Sequence, residues 1–152
     1  MKKFLLFLLL MFISAPCVFA EKIPVKITPT QIISTNHDEI EIGDWIRFKI
    51  VDDVYYNEKI YIPKDTTVIG VVDNIHENGI IADNAEIIFK KFFLRNYKNE
   101  LVTINYTLTL NRENSVCYSF YDKYAKYFGA IFKGNEIYIK PETINYNLFL
   151  IK

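Results

Sequence analysis

The chain has 152 residues, with 18 basic and 18 acidic side chains and a formal net charge of zero. This balance argues against nucleic acid as a partner, because phosphate binding needs clustered lysine and arginine. Aromatic residues make up 16% of the chain, and this share of tyrosine and phenylalanine, together with frequent isoleucine, favours β-strands.

The first twenty residues have the pattern of a cleavable, bacterial-type signal peptide. Lys2 and Lys3 provide the positive start, an apolar run covers residues 4–13, and Val18 and Ala20 fit the small-residue positions that signal peptidase recognises. The apolar run is only half of the roughly 20 residues that a membrane-spanning helix needs. We therefore expect cleavage after Ala20, export to the periplasm or the cell exterior, and no retained transmembrane helix.

Residues 21–152 are predicted to form a single β-rich domain. Two lysines lie in the signal segment, so this domain has a net charge of −2, and its length suffices for a core that needs no cross-link. Cys117 is its only thiol, which excludes an internal disulfide. Lipid attachment at Cys17 and an uncleaved anchor are the alternatives to simple cleavage, although Pro16 fits a lipoprotein signal poorly.

Strand signals recur at short intervals through this domain and predict an all-β fold. Asn57-Glu58-Lys59 has the composition of a tight hairpin turn, and Gly70 marks a bulge or a position of close packing. The predicted strands are Val25–Thr28, Trp45–Val51, Val54–Ile62, Thr67–Ile75, Ile87–Leu94, Leu101–Asn111, Ile137–Lys140 and Ile144–Ile151. We expect a small barrel or sandwich of about 7–9 mostly antiparallel strands, in which the last two segments pair with each other.

The most basic segment of the domain is interpreted as the edge of a sheet. The alternation of Ile87–Leu94 slips at Lys90 and Lys91, and Arg95 and Lys98 follow. Because lysines discourage contact between the edges of sheets, we predict an edge strand here and no nucleic-acid site.

One segment, residues 117–132, breaks the strand pattern and predicts a short amphipathic helix. Its apolar residues recur at the helical period, with Asp122, Lys123 and Lys126 opposite them. We expect the helix to cover an open end of the barrel or sandwich. The alternative is an exposed stripe that contacts the membrane surface, a ligand or a partner protein. The side chains that would make such contacts are Phe120, Tyr121, Tyr124 and Phe128.

Two stretches of the chain, residues 57–66 and 135–143, resemble each other. Each has a short apolar strand that runs into a turn containing a proline, an acidic residue and a threonine. Proline fixes φ and withholds a donor, which ends a strand ladder at that point. A duplication would explain the likeness, and so would independent selection of the same turn chemistry.

Residues 53–70 also carry a pattern known from other exported β-domains. They begin Asp53-Val54-Tyr55 and continue Ile60-Tyr61-Ile62-Pro63-Lys64-Asp65-Thr66-Thr67-Val68-Ile69-Gly70. This stretch resembles the barrel domain of the outer-ring subunit of conjugation and type IV secretion channels. That family prefers glycine where this chain has Asp65, and its long membrane anchor and proline-rich linker have no counterpart here. The resemblance implies a barrel-like, all-β fold in the cell envelope and does not imply membership of a channel.

Candidate chemistry is sparse. Residues 36–44 gather His37 and four carboxylates, which suit a divalent cation but lack the spacing of a calcium loop, so we interpret them as a solvated acidic loop. His76 and Glu77 precede the turn signal Asn78-Gly79 and are interpreted as exposed polar surface. We predict no catalytic residues, no metal site and no cofactor.

Together these patterns lead us to expect a non-enzymatic exported protein whose β-domain binds another envelope protein or the cell surface. The first alternative is a carrier that holds a small apolar or aromatic ligand inside the barrel, beneath the helix of residues 117–132. A filled interior would favour the binding module, and a roomy apolar cavity beside Tyr121 and Tyr124 would favour the carrier. A secreted hydrolase with an unrecognised site is the third hypothesis.

Overall fold

Ten β-strands account for all regular secondary structure in the residues that the computed structural model describes, 20–35, 40–77, 84–111 and 136–152. They are β1 (Lys22–Pro29), β2 (Ile33–Ser34), β3 (Trp45–Ile50), β4 (Val54–Tyr56), β5 (Lys59–Ile62), β6 (Thr67–His76), β7 (Glu86–Arg95), β8 (Leu101–Leu110), β9 (Tyr138–Ile139) and β10 (Tyr146–Ile151). The predicted helix and its candidate contact residues Phe120, Tyr121, Tyr124 and Phe128 lie outside these ranges, as do residues 1–19.

Six of the strands form one antiparallel sheet that curls into a nearly closed barrel. The strand order is β10-β1-β3-β6-β7-β8. The two outermost strands, β8 and β10, approach each other. The ring centroids of Tyr106 in β8 and Phe149 in β10 lie 5.8 Å apart. The other strands form two short sheets, β2–β9 and β4–β5. The predicted all-β, mostly antiparallel, barrel-like fold is confirmed.

Phenylalanine rings fill the centre of the barrel. Phe48 of β3 contacts Phe89 and Phe92 of β7, with ring centroids 5.7 and 6.0 Å away, and all three rings are fully buried. Gly70 of β6 makes room for them, since a Cβ atom there would lie 2.9 Å from the rings of Phe48 and Phe92. The close packing predicted at Gly70 is therefore confirmed.

The predicted edge strand is an interior strand of the barrel, so that prediction is wrong. β7 pairs with β6 on one side and with β8 on the other. The predicted slip in its alternation is present, because the register shifts between Phe89 and Lys91 and leaves Lys90 and Lys91 both exposed. A bulge on the outer face of a barrel solvates lysines without requiring an edge. Lys90 also forms an ion pair of 2.6 Å with Asp73.

The prediction that the last two segments pair with each other is also wrong. β9 pairs with β2, and β10 pairs with β1. Glu142, in the turn between β9 and β10, has a positive φ of 58° and donates its N–H to the carbonyl of Pro29, 2.9 Å away. The turn therefore docks against β1 instead of closing a hairpin, and each of the two strands finds its partner near the start of the domain.

The two similar stretches of sequence occupy equivalent places in two copies of one structural motif. The continuous motif is residues 45–76, where β3 pairs with β6 and β4 pairs with β5. The split motif consists of β1, β2, β9 and β10, where β1 pairs with β10 and β2 pairs with β9. Because β1 and β3 are antiparallel neighbours, an approximate two-fold axis passes between the paired residues Thr28 and Lys49.

Matched pairs of buried residues support this relation between the motifs. Val54 pairs with Ile62 in the continuous motif, and Ile33 pairs with Ile139 in the split motif. All four side chains are buried. The spacing in sequence from Ile33 to Val54 also separates Thr30 from Val51 and Lys26 from Arg47, the equivalent residues of two backbone hydrogen bonds between the β1 and β3 segments.

Those hydrogen bonds form a symmetric couple. Val51 donates its N–H to the carbonyl of Lys26 at 2.9 Å, and Thr30 donates to the carbonyl of Arg47 at 3.0 Å. Exchanging the two motifs converts one bond into the other. The likeness in sequence is therefore accompanied by a likeness in strand pairing, burial and backbone contacts.

The turns of the two motifs share the same local construction. Asp65 and Glu142 both have left-handed φ angles, 61° and 58°. In each turn the threonine that follows, Thr66 or Thr143, donates its hydroxyl to the carbonyl three residues earlier, at 2.6 and 2.7 Å. Lys49 joins the turns, since its ammonium lies 2.7 Å from the Glu142 carboxylate and 3.7 Å from that of Asp65.

Candidate functional site

A groove on the outer surface lies between the β4–β5 hairpin and the turn that joins β7 to β8. Its volume is about 330 Å³. Three tyrosines and three lysines line it, together with Glu100, Asn96, Asn57 and Ile60, and we call it the tyrosine–lysine groove. The six residues that give it this name are Tyr56, Tyr61, Tyr97, Lys59, Lys98 and Lys152.

The hairpin wall of the groove is shaped by a two-residue turn. Asn57 and Glu58 both have positive φ, 51° and 60°, and they connect the paired residues Tyr56 and Lys59. Positive φ at both central positions is the type I′ geometry that suits the twist of a hairpin. The predicted hairpin turn is confirmed, and it places Tyr56 and Lys59 side by side at the groove.

Asn96 organises the opposite wall. This side chain is buried, and its Oδ1 accepts hydrogen bonds from the backbone N–H groups of Lys98 and Glu100, both at 2.9 Å. Its Nδ2 donates to the Glu100 carboxylate at 2.7 Å. Tyr97 donates its backbone N–H to the carbonyl of Tyr61 at 3.1 Å, which fastens this turn to β5. This bond holds the main chain of Tyr97 at the rim of the groove, where the residue is 54% exposed.

The ammonium group of Lys152 lies against two tyrosine faces. Its Nζ is 3.5 Å from the ring centroid of Tyr61 and 4.3 Å from that of Tyr56. The two rings are 6.0 Å apart at an angle of 62°. A cation over an aromatic face is attracted by the ring quadrupole. The two rings thus hold a positive charge in a defined place inside the groove.

The groove carries unneutralised positive charge. The side chains of its three lysines and one glutamate sum to a formal charge of +2. Among the described residues, none of these three lysines has a carboxylate within 4.0 Å, whereas Lys26 lies 3.6 Å from Asp52. Ammonium, phenol and amide groups in one concave site can bind an anionic group and pack against its carbon frame.

A second, more apolar depression lies on the outer face of β6, β7 and β8. Ile69 and Phe93 are cross-strand partners there, and Leu101 lies at one end. Trp45, which is 72% exposed, pairs with Val71 on the same face of the sheet. The barrel therefore presents large apolar side chains outward as well as inward.

The acidic segments singled out in the sequence do not form a shared site in the part of the chain that the structure describes. In residues 41–44, the Asp44 carboxylate accepts the N–H of Glu41 at 2.9 Å and shapes a turn. His76 is exposed at the end of β6, and Asp73 is engaged with Lys90. Within the described ranges, no three His, Cys, Asp or Glu side chains are grouped closely enough to hold a metal ion. Residues 36–39 and Asp83 lie outside these ranges.

The tyrosine–lysine groove was not predicted from the sequence. Its walls come from two hairpin ends about 40 residues apart, and Lys152 comes from beyond β10. A local signal does exist, because tyrosine and lysine flank the first tight turn and occupy the second. Only the pairing of the strands brings these two turns together. The residues predicted as contacts, Phe120, Tyr121, Tyr124 and Phe128, lie outside the described ranges.

Comparison of the chain with protein-family models, with curated proteins and with solved structures finds no match. The resemblance of residues 53–70 to a secretion-channel domain therefore stays a prediction. Over the described ranges, no helix has the length and apolar character needed to cross a lipid bilayer.

Proposed function

We propose that this protein is an exported, non-enzymatic binding protein whose barrel domain binds another envelope protein on its outer surface. The observation that carries the proposal is the division of aromatic side chains between the inside and the outside of the barrel. Phe48, Phe89 and Phe92 fill the interior. Trp45 and Tyr97 are turned to solvent. The twenty-residue signal pattern supports export.

The packing of the interior favours a surface binder over a carrier. Phe48, Phe89 and Phe92 meet in edge-to-face and tilted contacts, with centroids 5.7 to 6.0 Å apart. Gly70 is packed so closely that even one methyl group would collide with two rings. A barrel that carries a ligand needs a lined cavity of several hundred Å³, and these side chains occupy that space in the described part of the barrel.

The outer surface of the barrel carries exposed tyrosine and tryptophan side chains, which are common in protein interfaces. Tyrosine and tryptophan are enriched among the residues that dominate binding energy, because their rings bury a large area and keep a polar group for hydrogen bonding. The bond from Tyr97 N–H to the Tyr61 carbonyl fixes the main chain of this turn, so little main-chain entropy is lost when a partner covers it.

Site-specific photo-crosslinking in cells tests this proposal. A photoreactive residue at Tyr97 should give one dominant crosslinked protein band in the envelope fraction. The same residue at Thr107, an exposed position further along β8, is the matched control and should give none. Equal crosslinking from both sites, or none from Tyr97 and from Trp45, would refute surface binding.

The carrier hypothesis has its own measurement. A fluorescent apolar dye should bind the purified native domain without saturation and without raising its melting temperature. Saturable binding that raises the melting temperature, and that is lost when Gly70 is enlarged, would show a ligand site inside the barrel.

A further inference from the structure

We infer that the tyrosine–lysine groove binds an acidic segment of a partner protein, with a carboxylate placed against the Lys152 ammonium. This inference rests on the proposed function and names the chemistry of the partner. It is carried by the coincidence of three features in one groove: a cation placed over two tyrosine rings, an excess of lysine over acidic side chains, and a turn fastened to β5 by a backbone bond.

The charge of the groove calls for an anion. Among the described lining residues, Glu100 is the only one with an acidic side chain, and the Asn96 amide already holds it at 2.7 Å. Lys59, Lys98 and Lys152 therefore keep ammonium protons available to an incoming group. Lys152 is held against Tyr56 and Tyr61 before any ligand arrives, and a preorganised charge binds with a smaller entropy cost than a mobile one.

The shape and the open faces of the groove favour a peptide over an anionic sugar or a membrane. Sugar rings stack on uncovered aromatic faces, but the Lys152 ammonium lies over one face of Tyr56 and one face of Tyr61. The Lys98 ammonium lies 5.5 Å from the centroid of the Tyr97 ring. A flat bilayer would not enter a recess of about 330 Å³. Ile60, which is 41% exposed, offers an apolar contact for the side chains that flank an acidic residue.

The site joins two elements that a bound segment would bridge. Tyr97 and Lys98 belong to the β7–β8 turn, whereas Lys59 and Ile60 belong to β5. The bond from Tyr97 N–H to the Tyr61 carbonyl already fixes the distance between these two walls. A segment that lies along the groove would meet lysines on both walls and the Lys152 ammonium over the tyrosines of the hairpin.

Binding of a fluorescent octaglutamate peptide to the purified protein tests the inference by anisotropy. We expect saturable binding that weakens as salt rises, and a Kd increased about fivefold by Lys152→Gln and by Lys98→Gln. Lys140→Gln is the matched control, since Lys140 is an exposed lysine in the turn before β10, and its Kd should stay unchanged. Tyr97→Ala should also weaken binding, without lowering the melting temperature.

Competing polyanions give the contrary outcomes. Oligogalacturonate of equal charge and phosphatidylglycerol vesicles should bind more weakly than the peptide and should respond equally to Lys98→Gln and Lys140→Gln. Tighter binding of either probe at the groove lysines, or equal effects of all lysine variants on the peptide, would overturn the inference. If Tyr97 crosslinks a partner in cells and Lys98→Gln with Lys152→Gln leaves the yield unchanged, the inference fails while the proposed function stands.

Discussion

The continuous and split motifs have the same strand pairings but fill them with different side chains. In the continuous motif, Phe48 pairs with Val68, and in the split motif Ile27 pairs with Tyr146. Tyr146 is buried, and this burial raises its pKa to about 12. The large residue lies on the first strand in one copy and on the last strand in the other. Each pair thus combines one larger aromatic with one smaller aliphatic side chain.

The positions next to these pairs follow the same rule. Gly70 follows Val68 on the inward face of β6, and the fully buried Leu148 follows Tyr146 on β10. Glycine is required only where the Phe48 ring leaves no room for a side chain. The two motifs therefore share their strand pairing, while the side-chain volume of each buried cross-strand pair can be distributed between the two strands in more than one way.

The largest effects should come from the buried pairs of the two short sheets. Ile62→Ala and Ile139→Ala should each lower the free energy of unfolding by about 2–5 kcal/mol, because both side chains are fully buried. The two should differ in kinetics. Ile62 lies in a local hairpin, whereas β2 and β9 join residues over a hundred positions apart, as in the bond from Ile137 N–H to Thr35 Oγ1.

Local pairs tend to form earlier than pairs that close long loops. Ile62→Ala should therefore slow folding, and Ile139→Ala should mainly speed unfolding, as measured by stopped-flow denaturant jumps. If Ile139→Ala slowed folding and Ile62→Ala mainly sped unfolding, the split motif would form first.

A smaller effect should come from adding a side chain at Gly70, where the split motif has Leu148. Gly70→Ala should destabilise the domain by about 1–3 kcal/mol, because the new methyl group would lie 2.9 Å from two buried rings. Phe92→Leu should relieve part of this cost, so that the double variant is more stable than the sum of the two single losses predicts. Denaturant titration of the four proteins measures the coupling, and simple additivity would mean that the rings move aside freely.

The smallest effects should come from the two left-handed turn residues. Glycine adopts positive φ without strain, so Asp65→Gly should stabilise the domain by about 0.5 kcal/mol. Glu142→Gly should give less or nothing, because it removes the 2.7 Å contact with Lys49, whereas Asp65→Gly removes only the longer contact of 3.7 Å. The Glu142 contact is the main cause of the raised pKa of the Lys49 ammonium. Thermal melts of both variants test this order, and a larger gain at Glu142 would contradict it.

Local rules predicted the strands well, and failed where the outcome depended on distant partners. The strand at Leu101–Asn111, the turn at Asn57-Glu58 and the packing at Gly70 are properties of short segments, and all three are confirmed. Asp65 has a positive φ, which explains why the family that this stretch resembles prefers glycine at this position.

The failures concern pairing partners and surfaces. A basic strand with a slipped alternation is typical of an edge, but a bulge gives β7 the same pattern inside the sheet. The final two strands are neighbours in sequence, yet the docked turn sends each to a different partner. The groove required both walls and Lys152 to be placed in space, which no local pattern specifies.

The axis between the motifs makes their contact isologous, as in a symmetric dimer, but within one chain. Two identical subunits would have to place the same residue opposite itself there, and two facing lysines would repel each other. Here Thr28 faces Lys49, and both reach the same turn: the Thr28 hydroxyl donates to the Ile144 carbonyl at 2.9 Å, and the Lys49 ammonium donates to Glu142 at 2.7 Å. A single chain can therefore repeat one strand arrangement and still place two different, complementary residues next to the axis.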